Sequence, residues 1–117
     1  MGAVLDPRVI RKIDSILHEP SRLLIAFALR SQSVLSFAEL KKLLSMTDGN
    51  LSIHLRTLEE GGYLIASRVK GDGKPRKLCR LSGEGRAALE RYLGVLDEIC
   101  RAGRALGGAE APVRGPS

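Results

Sequence analysis

Two sets of residues in this sequence carry chemistry that a folded domain does not need for itself. The first lies between Ser67 and Arg80, where Arg68, Lys70, Lys74, Arg76, Lys77 and Arg80 face one acid, Asp72, so that this segment holds +5 of the chain's net +6. A loop kept basic only for solubility would mix the signs. Concentrating one sign builds a site for a polyanion. The second set lies in TDGNLSIHLRTLEEGGY, from Thr47 to Tyr63. Asn50 can hydrogen-bond a base edge, Ser52 a base or a phosphate, and Ile53 can meet a thymine methyl. The competing readings are a helix-helix contact for Ile53 and, for Arg56, an ion pair with Glu60 one turn on.

These residues need elements to hold them. Thr47 is an N-cap residue and Asp48 puts negative charge where a helix dipole favours it, so a helix is predicted over 47–60. Leu51, His54, Leu55 and Leu58 then share one face by helical spacing, leaving Asn50, Ser52, Ile53, Arg56 and Thr57 elsewhere. His54, with no carboxylate or cysteine at ligand spacing, reads as a partly buried structural histidine. Gly61 and Gly62 can take positive φ and stop the helix. Beyond them, Tyr63–Lys70 and Arg76–Leu81 read as strands around the turn formers Gly71 to Pro75, so the basic segment 67–80 becomes a hairpin with a charged tip.

Upstream, Ser36 to Glu39 is a capping box, and Phe37, Leu40, Leu43 and Leu44 give about two helical turns. Only Ser45 and Met46 separate that helix from Thr47, which makes a helix-turn-helix. The apolar run SRLLIAFALR from Ser21 to Arg30 reads as a central helix opened by Pro20, and Val34-Leu35 as a very short strand. Asp6-Pro7 predicts a first helix over 6–19, with His18 favoured near its C-terminus. Leu81-Ser82 opens a last helix over 82–102, whose Leu89, Tyr92, Leu96 and Ile99 form an a/d seam widened by Leu93 and Cys100. Val9, Ile13 and Ile16 offer a second apolar stripe. A second copy of the chain, the chain's own first helix, or both would cover these stripes. Residues 103–117 are rich in Gly, Ala and Pro and read as a disordered tail.

Composition excludes several function classes. At 117 residues the chain holds one domain with a core, and with 3% aromatic residues that core must be aliphatic. The longest apolar run, Leu23 to Leu29, is far short of the roughly 20 residues needed to cross a bilayer. No basic start followed by an apolar stretch marks a secretion signal, so a cytoplasmic protein is expected. Cys79 and Cys100 form no CxxC and have no flanking histidine, so they read as small buried hydrophobes rather than metal ligands, with a redox-sensing thiol, or a disulfide between subunits at Cys100, as the alternatives. Neither a phosphate-binding glycine loop nor a nucleophile-base pair is present, so neither enzymatic activity nor a cofactor is expected.

The string Asp48-Gly49-Asn50-Leu51-Ser52 with His54-Leu55, Leu58-Glu59 and Gly62-Tyr63, joined by Lys74-Pro75-Arg76, Leu81-Ser82 and Gly85-Arg86, resembles the winged helix-turn-helix transcriptional regulators. It lies nearest their small single-domain branch, related to the MarR and ArsR groups. The resemblance covers about Pro20 to Tyr92. It implies a mainly α fold with a small β-hairpin wing, acting as a homodimer on double-stranded DNA. Helix 47–60 would then lie in the major groove and wing 67–80 on the backbone or in the minor groove. It turns Thr47, Asp48, Gly49, Asn50, Ser52, Ile53 and Arg56 toward DNA, with Arg68, Lys70, Lys74, Arg76 and Lys77 on the wing. The domain is expected over 1–102, with dimerisation helices 6–19 and 82–102 presenting Val9, Ile13, Ile16, Leu89, Tyr92, Leu96, Ile99 and Cys100. The cysteine motif of ArsR-type metal sensors is absent from Ser36 to Met46, so no metal is expected, and no residue set defines a small-molecule effector. The alternative function is a winged-helix protein-interaction module without specific DNA binding.

Overall fold

A computed structural model describes residues 6–107. Helix α1 (Pro20–Gln32) begins at the proline, with the Glu19 carboxylate accepting from Arg22 N at 2.8 Å, and it buries Ile25, Ala26, Ala28 and Leu29. Helix α2 (Phe37–Leu44) opens with the expected capping box: Glu39 N donates to Ser36 Oγ at 3.0 Å and Ser36 N to Glu39 Oε1 at 2.7 Å. Ser45, left-handed at φ 53°, turns the chain into α3 (Asp48–Glu60). There Thr47 Oγ1 accepts from Asn50 N at 3.1 Å. Each side chain satisfies an amide that the helix itself leaves unpaired.

Three antiparallel strands follow the order β1-β3-β2, with β1 at Leu35–Ser36, β2 at Leu64–Lys70 and β3 at Pro75–Leu81. The hairpin β2–β3 is the expected one, and Pro75 heads β3 opposite Lys70, where a missing N–H costs the ladder little. The short strand is displaced by one residue from the expected Val34-Leu35. By pairing Leu35 with Cys79 and Ser36 with Leu78 it turns the hairpin into a three-stranded sheet. Helix α4 (Gly83–Gly107) closes the chain. Its 25 residues span about 37 Å at the α-helical rise, long against a molecule of 63 × 33 × 21 Å. No helix of the described residues is long and apolar enough to cross a membrane.

One aliphatic core joins these elements: Leu17, Ile25, Leu29, Leu40, Leu51, Leu55, Leu58, Cys79 and Leu89 are almost wholly sealed from solvent. Where the sheet meets α4 the backbones come very close. Ser82 N donates to Tyr63 O at 3.0 Å, Ser82 Oγ donates to Gly62 O at 2.6 Å, and Gly85 N donates to Ser82 Oγ at 2.9 Å. A Cβ on Gly85 would run into the Tyr63 carbonyl, so only glycine fits there.

The structure corrects four expectations. The first helix does not run over 6–19. Asp6 caps it as expected, but it is a 3-10 helix confined to Pro7–Lys12. The chain then turns because Asp14 Oδ1 accepts from Ile16 N (2.9 Å) and Leu17 N (3.1 Å), while Oδ2 accepts from the Tyr63 hydroxyl at 2.5 Å. A short carboxylate that captures the amides two and three residues on competes with helix formation. His18 therefore ends no helix; its Nδ1 shares a hydrogen bond of 2.7 Å with the Tyr92 hydroxyl. At the other end, α4 continues through residues 103–107, where a disordered tail was expected; the rest of that expectation, 108–117, falls outside the described residues. Of the glycine pair, only Gly62 takes positive φ (85°). Gly61 is right-handed, with the end of the Ile16 side chain packed against it.

Candidate nucleic-acid interface

Helix α3 divides as its sequence dictates. Leu51, Leu55 and Leu58 are buried to 0% exposure, fixing the helix against the core. Asp48, Gly49, Asn50, Ile53 and Arg56 are exposed on the outward side and Ser52 is half-buried. Ile53 is 60% exposed. Arg56 makes no ion pair with Glu60 or any other acid among the described residues. Asp48, the anion at the start of this surface, pairs with Lys41 Nζ at 2.8 Å. No local pattern points to Lys41, because the pairing crosses the turn between α2 and α3.

Paired residues in an antiparallel ladder share a face. Along the inner face of the hairpin, Leu64 and Leu81 come first, then Ala66 and Cys79, then Arg68 and Lys77. That face is apolar while it covers the core and turns cationic where the core ends. Arg68 and Lys77, joined by Pro75 and Arg76, line one wall of a groove of about 570 Å³; the other wall is Ser36 to Glu39 at the start of α2 and Ser52 on α3. Lys77 Nζ sits 5.9 Å from the centre of the Phe37 ring, near enough for a cation–π attraction to hold it there. Glu39 is the acid in this groove. The Ser36 N–H holds its carboxyl below the ordinary range, with Arg76 adding a smaller pull, so its charge is committed to the cap. Lys70 and Lys74 stand exposed at the hairpin end, where Gly73 takes φ 102°.

The junction behind α3 contains a residue that sequence reasoning missed. Arg22 donates to Ile16 O at 2.6 Å and to His54 Nδ1 at 3.3 Å, binding the turn before α1 to the back of α3. His54 is half-buried, as expected, with Glu19 Oε1 3.8 Å away. Tyr63 has its pKa pushed up to about 12, first by burial and then by its bond to Asp14. Burial likewise raises Cys79, which lies in the core as expected; Cys100, expected to be buried too, is exposed on the far half of α4.

The expected dimer residues separate into two groups. Leu89 and Tyr92 are buried in the chain's own core, because the first half of α4 packs on the sheet and α1 and so cannot present them outward. Val9, Ile13, Ile16, Leu96 and Ile99 remain half-exposed, and Cys100 is open. The 3-10 helix lies along α4, with Lys12 Nζ 3.7 Å from Glu98.

Comparison with known proteins agrees with this geometry. The family described as winged helix DNA-binding domain matches residues 21–100. An uncharacterized protein of Methanocaldococcus jannaschii is 35% identical over 57 residues, which are 49% of this chain and 62% of that relative, less than two thirds of its length. A transcriptional regulator homologue from Pyrococcus horikoshii superposes with a TM-score of 0.73 at 28% identity, covering 81% of this chain and 92% of that one. MepR from S. aureus does so at 0.64 and 20% identity, over 86% and 73% of the two chains, a likeness of fold. An ArsR family transcriptional regulator, RHA00566, superposes at 0.52 and 23% identity over 84% and 96% of the two chains, again a likeness of fold.

Proposed function

Given that this chain belongs to the winged helix DNA-binding domain family, we propose that it regulates transcription as a homodimer that binds duplex DNA in a sequence-dependent way. One observation carries the reading: α3 and the basic hairpin border one groove, with Ser52 on one side and Arg68, Arg76 and Lys77 on the other. In this reading α3 enters the major groove, where Asn50, Ser52, Ile53 and Arg56 meet base edges, while Thr47, Asp48 and Gly49 bring the helix start close to the duplex. Arg68, Lys70, Lys74, Arg76 and Lys77 neutralise phosphates. Backbone contacts of this kind supply affinity and register, and contacts in the groove supply sequence preference.

The functional unit is residues 1–102 with the helical extension that follows. A second copy covers the apolar stripe left on the far half of α4, where Leu96 and Ile99 are half-buried and Leu106 is 50% exposed, together with Val9, Ile13 and the 69% exposed Ile10. Burial of such a stripe is the ordinary driving force for pairing of long helices.

The test is a duplex-DNA shift at two salt concentrations, with heparin retention and light scattering alongside, comparing the chain with a Lys74→Ala, Arg76→Ala variant. A dimer whose affinity falls steeply with salt, and falls further in the variant, supports the reading. Salt-independent binding that the variant leaves unchanged would favour the protein-interaction module instead.

A further inference from the structure

Ile53 is the one aliphatic side chain among the exposed residues of α3; its exposed companions are Asp48, Gly49, Asn50, Arg56, Glu59 and Glu60. It stands 60% exposed. One turn toward the helix start, on the same side, is Gly49, where even a Cβ would meet no atom within 4 Å. Helical side chains lean toward the N-terminus, so the Ile53 side chain lies toward Gly49, and the two make a shallow apolar spot that a partner can approach to backbone distance. Polar groups border it: Asn50 one turn before and Arg56 one turn after. Thr57, the next residue on that side, has its hydroxyl committed to Ile53 O at 3.1 Å. Being β-branched, Ile53 has a stiff χ1, which favours a fixed position.

Resting on the DNA-binding reading above, we propose that Ile53 over Gly49 is a specificity-determining contact that reads the 5-methyl group of a thymine in each half-site. The major groove offers few apolar features, and the thymine methyl is the one that distinguishes a base. A flat spot floored by glycine and rimmed by hydrogen-bonding residues fits a methyl projecting from a base whose remaining edge is polar. Exchange of thymine for deoxyuridine removes that methyl and leaves every donor and acceptor in place, so the effect of the methyl can be read alone.

The experiment takes duplexes enriched from a random pool by the wild-type chain and replaces each thymine in turn by deoxyuridine. Affinity is then measured for wild type, Ile53→Val and Ile53→Ala, with melting temperatures compared to confirm that all three fold alike. The expected result is one position per half-site at which deoxyuridine weakens wild type by about fourfold, the worth of one buried methyl. Ile53→Val keeps that sensitivity and Ile53→Ala loses it, while all three share one salt slope. Equal sensitivity in wild type and Ile53→Ala, or none in either despite steep salt dependence, overturns this contact and leaves the DNA-binding reading intact. Failure to bind any duplex in a salt-dependent way would overturn both.

Discussion

Helix α3 and the hairpin β2–β3 both turn polar and charged side chains outward, yet they are held by different means. Three leucines at 0% exposure anchor α3 from below, and a cap fixes its first turn. The hairpin has apolar cover on its inner face only as far as Ala66 and Cys79; from Arg68 and Lys77 to the tip it relies on its own ladder and on the Lys77–Phe37 contact. In the proposed reading base edges must be met to within a few tenths of an ångström, which suits an element built on the core. Phosphates ask chiefly for charge, which in the same reading a less firmly supported finger would supply. Position and affinity are thus assigned to separate parts.

This division of labour is tested hardest at Leu55. Leu55→Ala should destabilise the fold by ~2 to 5 kcal/mol in urea or thermal unfolding, the usual cost of emptying a sealed site. A loss under ~1 kcal/mol would mean that α3 is not anchored as described. At the other pole, the Lys74→Ala, Arg76→Ala variant should keep its stability within ~0.5 kcal/mol. Its log-log salt slope should fall by about 0.9 for each phosphate that the variant no longer neutralises. Thr47→Ala probes the anchoring more finely: loss of the cap should cost ~1 kcal/mol, although Thr47 is exposed. The mildest effect lies at the boundary residue Tyr63. Its raised pKa means that the folded state favours the neutral phenol. That contribution is whole below about pH 10, the ordinary tyrosine value, and drains away as pH climbs toward about 12. Tyrosinate absorbance near pH 10 should therefore be lower in the folded chain than in urea.

What could be read from the sequence follows the range of the interactions. The Ser36–Glu39 box, the Thr47 cap and the spacing of Leu51, Leu55 and Leu58 act within four residues of one another or along one helix face, and each appears in the structure where the spacing puts it. The cationic hairpin was equally legible, because turn formers and charge are local. What escaped depends on partners far along the chain. Asp14 reaches Tyr63 and His18 reaches Tyr92, so the apolar spacing of Val9, Ile13 and Ile16 looks helical until those bonds are known. Leu89 and Tyr92 fit a dimer seam as well as a core, since periodicity names a face without saying what it meets. Arg22 and Lys41 carry no local signature; only the fold brings them to His54 and Asp48.

Between Gly62 and Gly85 the base of the hairpin and the start of α4 share carbonyls, a serine hydroxyl and a gap too narrow for a methyl group. Exchange of the finger between two such chains would have to move residues 61 to 85 as a single cassette. A graft cut at the strand ends would set a borrowed barrel on the wrong stock, keeping its charge and losing its aim.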